Sequence, residues 1–301
     1  MTTESRRVDL AGRPVHYLAA GDAGPTVILL HGGGVDAAGF SFHDTIPALA
    51  PRFRVIAPDW PGYGESAPPP PGWGVPEYVT FLGQLLDRLE IPRASLIGLS
   101  MGGAIALGAA LQAPERVDRL VLVDSYGLGR ELPAPLVSYL FVHLPLNELS
   151  WTLLRASAGS RWLARLALRA TLPCHPERVT EELVDDDTRL MRRPDAGQAW
   201  IQFQRREVRW LAYRTNYLEY LPEVRVPTLL VHGARDPAVP VAWSERAHRL
   251  IPDAQLAVIP ESGHVTPMEQ PERFNVAVLG FLTSSPPPGD SRPTGGRPSS
   301  E

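Results

Sequence analysis

The chain is poor in cysteine, in net charge and in long apolar runs, and each shortage excludes something. A single cysteine, Cys174, rules out an intramolecular disulfide, and with no second thiol nearby it cannot seed a cysteine-based zinc site. A formal net charge of −4 and a pI near 6.1 give no basic field for nucleic acid or an anionic membrane. No apolar run approaches the length that crosses a bilayer, and the opening MTTESRRVDLAGRP lacks the apolar core of a signal peptide. The expected partner is therefore a small-molecule substrate, with neither nucleic acid nor membrane, while a homo-oligomer stays open. The expected location is the cytoplasm, and the expected metal and cofactor content is none.

What is present is an ordinary globular composition, 44% hydrophobic and 21% charged, in 301 residues, enough for one large domain carrying an insertion. The stretch RRVDLAGRPVHYLAAGD alternates on either side of AGRP and reads as an antiparallel hairpin. Thereafter apolar runs (TVILLHG, FRVIAPDWPG, ASLIGLS, DRLVLVDS, PTLLVHGARD, AQLAVIPESGH) alternate with segments at helical spacing. That alternation predicts an α/β fold with a doubly wound, mostly parallel sheet. Between about Tyr126 and Pro227 no strand-like run occurs, and four segments read as helical, the last being AGQAWIQFQRREVRWLAYRTNYLEYL. We expect a helical cap inserted over the C-terminal edge of the sheet, where ligands bind in such folds. Its aromatics (Tyr139, Phe141, Trp151, Trp162, Trp200, Phe203, Trp210, Tyr213) read mainly as core, with some facing the cleft, and Arg205, Arg206 and Arg209 as helix surface. The expected division is a core over 1–125 and 228–283, a cap over 126–227 and, from the Pro/Gly/Ser-rich composition, a disordered tail over 284–301.

The chemistry gathers at strand ends. In ASLIGLSMGGAIALGAAL the pentapeptide GLSMG is a weak motif by itself, but here a strand precedes Ser100 and a helix follows it. That is the context of a nucleophile elbow, in which close strand–helix packing demands small residues at Gly98, Gly102 and Gly103. The competing reading, a phosphate-binding turn, lacks both the P-loop lysine and the G-x-G-x-x-G spacing. A serine nucleophile needs a base and an orienting acid. His264 in ESGH and Asp236 in HGARDPAVP follow later strands, in the chain order Ser, Asp, His. Asp124, ending LVLVDS, competes as the acid, or else caps a helix or bonds to backbone. Asp59 is expected to hold the glycine turn after it, and His232, inside a strand, to be a satisfied structural histidine. The expected oxyanion donors are the amides of Met101 and of Gly33 in HGGG.

With HGGG, DWPGYGES, GLSMGG, HGARDPAVP and SGH in this order from Val8 to Leu282, the chain resembles the α/β-hydrolase fold family. The resemblance implies a serine hydrolase working through a covalent acyl-enzyme. Within the family, LLHGGG and TEEL are similar to hydrolases that cleave carbon–carbon bonds in ring-fission products of aromatic degradation. Those enzymes place Asn before the nucleophile, Trp after the catalytic His and Arg shortly after TEEL, where this chain has Leu99, Val265 and, by ungapped count, Asp187. A dianionic dienoate would lose its charge partner there, beside an acidic run Asp185 to Asp187. The expectation is hydrolysis of a neutral ester or related acyl compound, with carbon–carbon hydrolysis second. A lyase, an acyltransferase or a ligand-binding member of the fold is the reading from another class.

Overall fold

The computed structural model describes residues 2–157 and 160–284, so the tail expected from Ser284 lies, beyond Ser284 itself, outside the described residues. Strands β1 (Glu4–Leu10) and β2 (Arg13–Ala20) form the expected hairpin, closed by Ala11 and Gly12, both at positive φ (52° and 81°). That geometry suits a two-residue turn between twisted strands. The six expected apolar runs become β3 (Thr26–Leu30), β4 (Arg54–Pro58), β5 (Ala94–Leu99), β6 (Val117–Val123), β7 (Thr228–Gly233) and β8 (Ala254–Ile259). All eight join one sheet in the order β1-β2-β4-β3-β5-β6-β7-β8, parallel from β4 to β8. The order reverses between β3 and β5, which puts a crevice at the C-terminal ends of these two strands.

Helices cover both faces, so the central strands are buried on both sides and their residues alternate between two cores. Ile28, Leu30, Leu96 and Leu122 pack with α3 (Val75–Arg88), α4 (Met101–Gln112) and α10 (Val241–Leu250). Val27, Leu29, Ile97 and Val123 pack with α2 (Thr45–Leu49) and α12 (Pro271–Thr283). Short helices α1 (Ala38–Ser41) and α11 (Thr266–Glu269) follow the β3 and β8 loops.

Between β6 and β7 lie α5 (Pro135–His143), α6 (Leu146–Ser157), α7 (Arg161–Thr171), α8 (Glu181–Met191) and α9 (Gln198–Glu207). The long helix read over 196–221 is not formed: α9 stops at Glu207, Val208 bridges back to Tyr213, and a 3-10 turn spans Leu218–Glu223. The cause is Glu207, whose buried carboxylate accepts the amides of Val75 and Thr215 and the hydroxyl of Tyr126 at 3.0–3.1 Å. In a continuing helix Thr215, eight residues on, would lie about 12 Å along the axis and its amide could not reach this carboxylate. Among the described residues no helix is long and apolar enough to cross a membrane.

Candidate active site

Ser100 sits at the turn from β5 into α4 with φ 51° and ψ −112°, a conformation that costs a non-glycine residue energy and persists only when its surroundings enforce it. The enforcement is visible. The Ser100 amide donates to Val123 O at 2.9 Å and the Tyr126 amide donates to Ser100 O at 3.1 Å. A Cβ on Gly98 would strike the Gly102 backbone, and one on Gly102 would strike the backbone of Leu30 and His31, so the strand–helix approach admits only glycine there.

Three expected residues meet. His264 Nε2 lies 3.0 Å from Ser100 Oγ, and His264 Nδ1 lies 2.8 Å from Asp236 Oδ2. With Nδ1–H donating to the carboxylate, Nε2 is left to accept the serine hydroxyl. The other oxygen of Asp236 accepts the amides of Ala238 at 2.7 Å and Val239 at 2.9 Å, fixing the carboxylate. Burial disfavours the charge on Asp236, yet hydrogen bonds from His232 and His264 hold its pKa well below the ordinary range. Burial likewise opposes charging of His264, but the bond to Asp236 and that residue's charge raise its pKa overall.

Asp124 is not on the imidazole. Fully buried and at φ 45°, it accepts the Gly233 amide at 2.8 Å and the Thr266 amide at 3.1 Å, tying together the loops that carry Asp236 and His264. Burial pushes its pKa up to about 6. His232 is satisfied as a core residue, accepting from Ser244 Oγ at 2.7 Å and donating to Val239 O at 3.0 Å, and it also lies 3.3 Å from Asp236 Oδ2. Asp59 holds the turn after it, accepting the amides of Glu65 at 2.7 Å and Ala38 at 2.9 Å, with His16 on the same carboxylate. Among the described residues, Asp124, His232 and Asp236 bring ligand atoms within 4.8 Å of one another. Each is already committed to the hydrogen bonds just given, so this donor set does not fit a metal ion.

Among the described residues the amides of Gly33 and Met101 have no protein acceptor. Neighbouring groups shape the Gly33 loop: Asp36 accepts the Gly32 amide at 2.8 Å, and His31 accepts the Trp60 amide at 3.0 Å. Trp200 of α9 lies so close over Gly33 that a Cβ there would collide with its indole. Sequence reasoning gave Asp36, Glu207 and Glu269 no role. Glu269 is buried and receives the amides of Gly263, next to His264, and of Cys174. Isolated acids in loops and helix ends carry no pattern that would have singled them out.

The insertion departs from expectation in two ways. Asp185 and Asp186 face solvent in ion pairs with Arg161 and Arg189, whereas Asp187 is buried with Leu183, Val184 and Met191, its carboxylate without a partner and its pKa pushed up by burial to about 6. The acidic run is thus not one solvated face. Of the aromatics read as core, Trp151 and Phe203 are buried, but Phe141, Trp162 and Trp210 are exposed. Arg205 and Arg206 pair with Glu148 and Glu77 on the surface, as read. Arg193 was not singled out. It pairs with Asp195 at 2.9 Å and lines a small cavity with Gly34, Val35, Tyr63 and Met191, and its Nη1 is buried without an acceptor.

This sheet with a strained serine at its switch point defines a class, and the chain belongs to it: residues 25–271 match the family described as the alpha/beta hydrolase fold. The protein is a hydrolase of that fold. Its relatives include the 2-hydroxy-6-oxo-6-(2'-aminophenyl)hexa-2,4-dienoic acid hydrolase of Metapseudomonas resinovorans, 33% identical over 290 residues that cover 92% of this chain and 90% of the relative. The 2-hydroxy-6-oxononadienedioate/2-hydroxy-6-oxononatrienedioate hydrolase of a Pseudomonas species is 30% identical, with 89% and 91% covered. Among solved structures, the meta-cleavage product hydrolase of Pseudomonas fluorescens IP01, in complex with acetates, superimposes with a TM-score of 0.75 at 30% identity, covering 92% and 97% of the two chains.

Proposed function

We propose that the protein is a serine hydrolase of the carbon–carbon type, acting on a vinylogous diketone such as a ring-fission dienoate. The observation that carries the hydrolytic part is His264 within hydrogen-bond reach of both Ser100 and Asp236. Ser100 Oγ attacks the carbonyl carbon as its proton passes to His264 Nε2, and Asp236 stabilises the resulting imidazolium. The oxyanion is taken by the amides of Met101 and Gly33. Collapse breaks the carbon–carbon bond, leaving an acyl group on Ser100, while His264 returns the proton to the departing dienolate. Water, deprotonated by His264, then hydrolyses the ester and restores Ser100.

The choice of bond rests on the dienoate hydrolases among the relatives, at 30–33% identity over about nine-tenths of both chains. It moves the carbon–carbon reading ahead of the neutral ester expected first. The substrate's carboxylate then needs a cation, and Arg193, with its unsatisfied Nη1 beside the Gly34 loop, supplies it in place of the arginine absent at Asp187. A second reading, hydrolysis of a neutral ester, is favoured by the missing arginine: the position that holds it by ungapped count is the acid Asp187.

Kinetics on a 2-hydroxy-6-oxo-dienoate beside p-nitrophenyl esters separate the two. The carbon–carbon reading expects kcat/KM for the dienoate to lead by at least about tenfold, and Arg193→Met to remove at least about tenfold from the dienoate alone. A lead for the esters, unaffected by Arg193→Met, establishes the second reading. Ser100→Ala abolishes both activities and labelling by a fluorophosphonate; a mutant that is still labelled removes Ser100 from the chemistry.

A further inference from the structure

Seventeen large apolar side chains are exposed among the described residues, and fifteen of them lie between Leu136 and Tyr220, in the insertion. Exposed apolar residues scattered singly are normal, but a contiguous face of them marks a docking surface. Many of these side chains sit on elements that touch one another. Helix α5 exposes Val137, Leu140 and Phe141, it packs on α6, which exposes Leu149 and Leu153, and Tyr139 of α5 meets the ring of exposed Trp210 at 5.1 Å.

Charge on the same segments is one-sided. Residues 132–172 hold Arg155, Arg161, Arg165 and Arg169 against Glu148, with Arg161 and Arg165 paired to Glu181 and Asp185 of α8, and residues 208–218 hold Arg209 and Arg214 with no acid. Glu148 is neutralised by Arg205, while Arg155, Arg169, Arg209 and Arg214 have no side-chain partner among the described residues. A chain of net charge −4 therefore carries a cationic, apolar face, and the whole-chain charge, which argued against an anionic surface, averages this segregation away.

We propose that the α5–α6 face, with Trp210 and the flanking arginines, docks on the surface of an anionic lipid bilayer. Leucine, valine and phenylalanine side chains enter the boundary between headgroups and acyl chains, a tryptophan sits at headgroup level, and guanidinium groups take lipid phosphates. A second copy of the chain fits less well. A two-fold interface built on this face would gather unpaired arginines from both copies without acids to meet them.

The test is co-sedimentation of the full chain with vesicles of phosphatidylcholine alone and with about one quarter phosphatidylglycerol. Binding to the anionic vesicles is expected to exceed binding to the neutral ones by at least about tenfold and to fall several-fold when sodium chloride is raised from about 0.05 to 0.5 M. Leu140→Glu with Leu149→Glu is expected to weaken it by at least about tenfold. Arg209→Ser with Arg214→Ser, at exposed positions without partners, is expected to do the same, and both double variants should keep the wild-type circular dichroism. No sedimentation with anionic vesicles overturns the proposal, as does equal binding by wild type and both variants. So does light scattering that finds, without vesicle binding, a dimer dissociated by the leucine substitutions, because the face would then belong to a second copy.

Discussion

A carboxylate buried without a partner costs stability once it is charged, and Asp187 is such a group. Its folded pKa of about 6 lies above the ordinary 3.8, so folding favours the protonated form. Well below pH 3.8 both states are protonated and nothing is lost; the penalty grows as pH rises from 3.8 through 6 and is complete above that. A displacement of this size corresponds to up to about 3 kcal/mol. Asp187→Asn should therefore raise the unfolding free energy at pH 7.5 and leave it unchanged near pH 3.5, as denaturant titration at the two pH values will read. A second residue-scale prediction separates the two acids. Asp236→Asn loses the acceptor that fixes the His264 tautomer and should lower kcat by about 10⁴-fold. Asp124→Asn keeps an acceptor for Gly233 and should cost far less; steady-state kinetics decide the ranking.

At the scale of elements, strands and core helices were legible because burial on both faces writes itself as continuous apolar runs, as in TVILL and ASLIGL. The site was legible for a related reason: Ser100, Asp236 and His264 each end such a run. The break after Glu207 was not, because Trp200, Phe203, Trp210 and Tyr213 keep apolar residues near helical spacing while the helix is ended by hydrogen bonds from Val75, Tyr126 and Thr215. Those partners are 8 to 132 positions away, and no local pattern records them. Glu207→Ala leaves these three buried donors unmet and should lower stability by about 3 kcal/mol or more, with Glu207→Gln milder; thermal unfolding of the two variants reads the difference. The exposed aromatics of α5 and the 208–213 segment escaped for the opposite reason, since the sequence reports that Phe141 and Trp210 are apolar but not that nothing packs over them.

At the scale of the molecule, the insertion has little core of its own. Ala199 and Phe203 of α9 belong to the packed cluster of Leu96 and Leu122, and Leu183 and Val184 of α8 to that of Leu99 and Val265. Cap and sheet should therefore melt together, giving one calorimetric transition with equal calorimetric and van't Hoff enthalpies, whereas an independent cap would give two. The same economy of attachment acts inside the site. Asp124, at the end of β6, grips the backbone three residues before Asp236 and two residues after His264. Mechanically the acid and the base ride on one rigid body with a common pivot, not on two loops with separate motions. The serine is held to the same pivot, because its amide and carbonyl bond to Val123 and Tyr126 on either side of Asp124, so a shift at the end of β6 carries acid, base and nucleophile together and leaves the distance over which the serine proton must jump little changed.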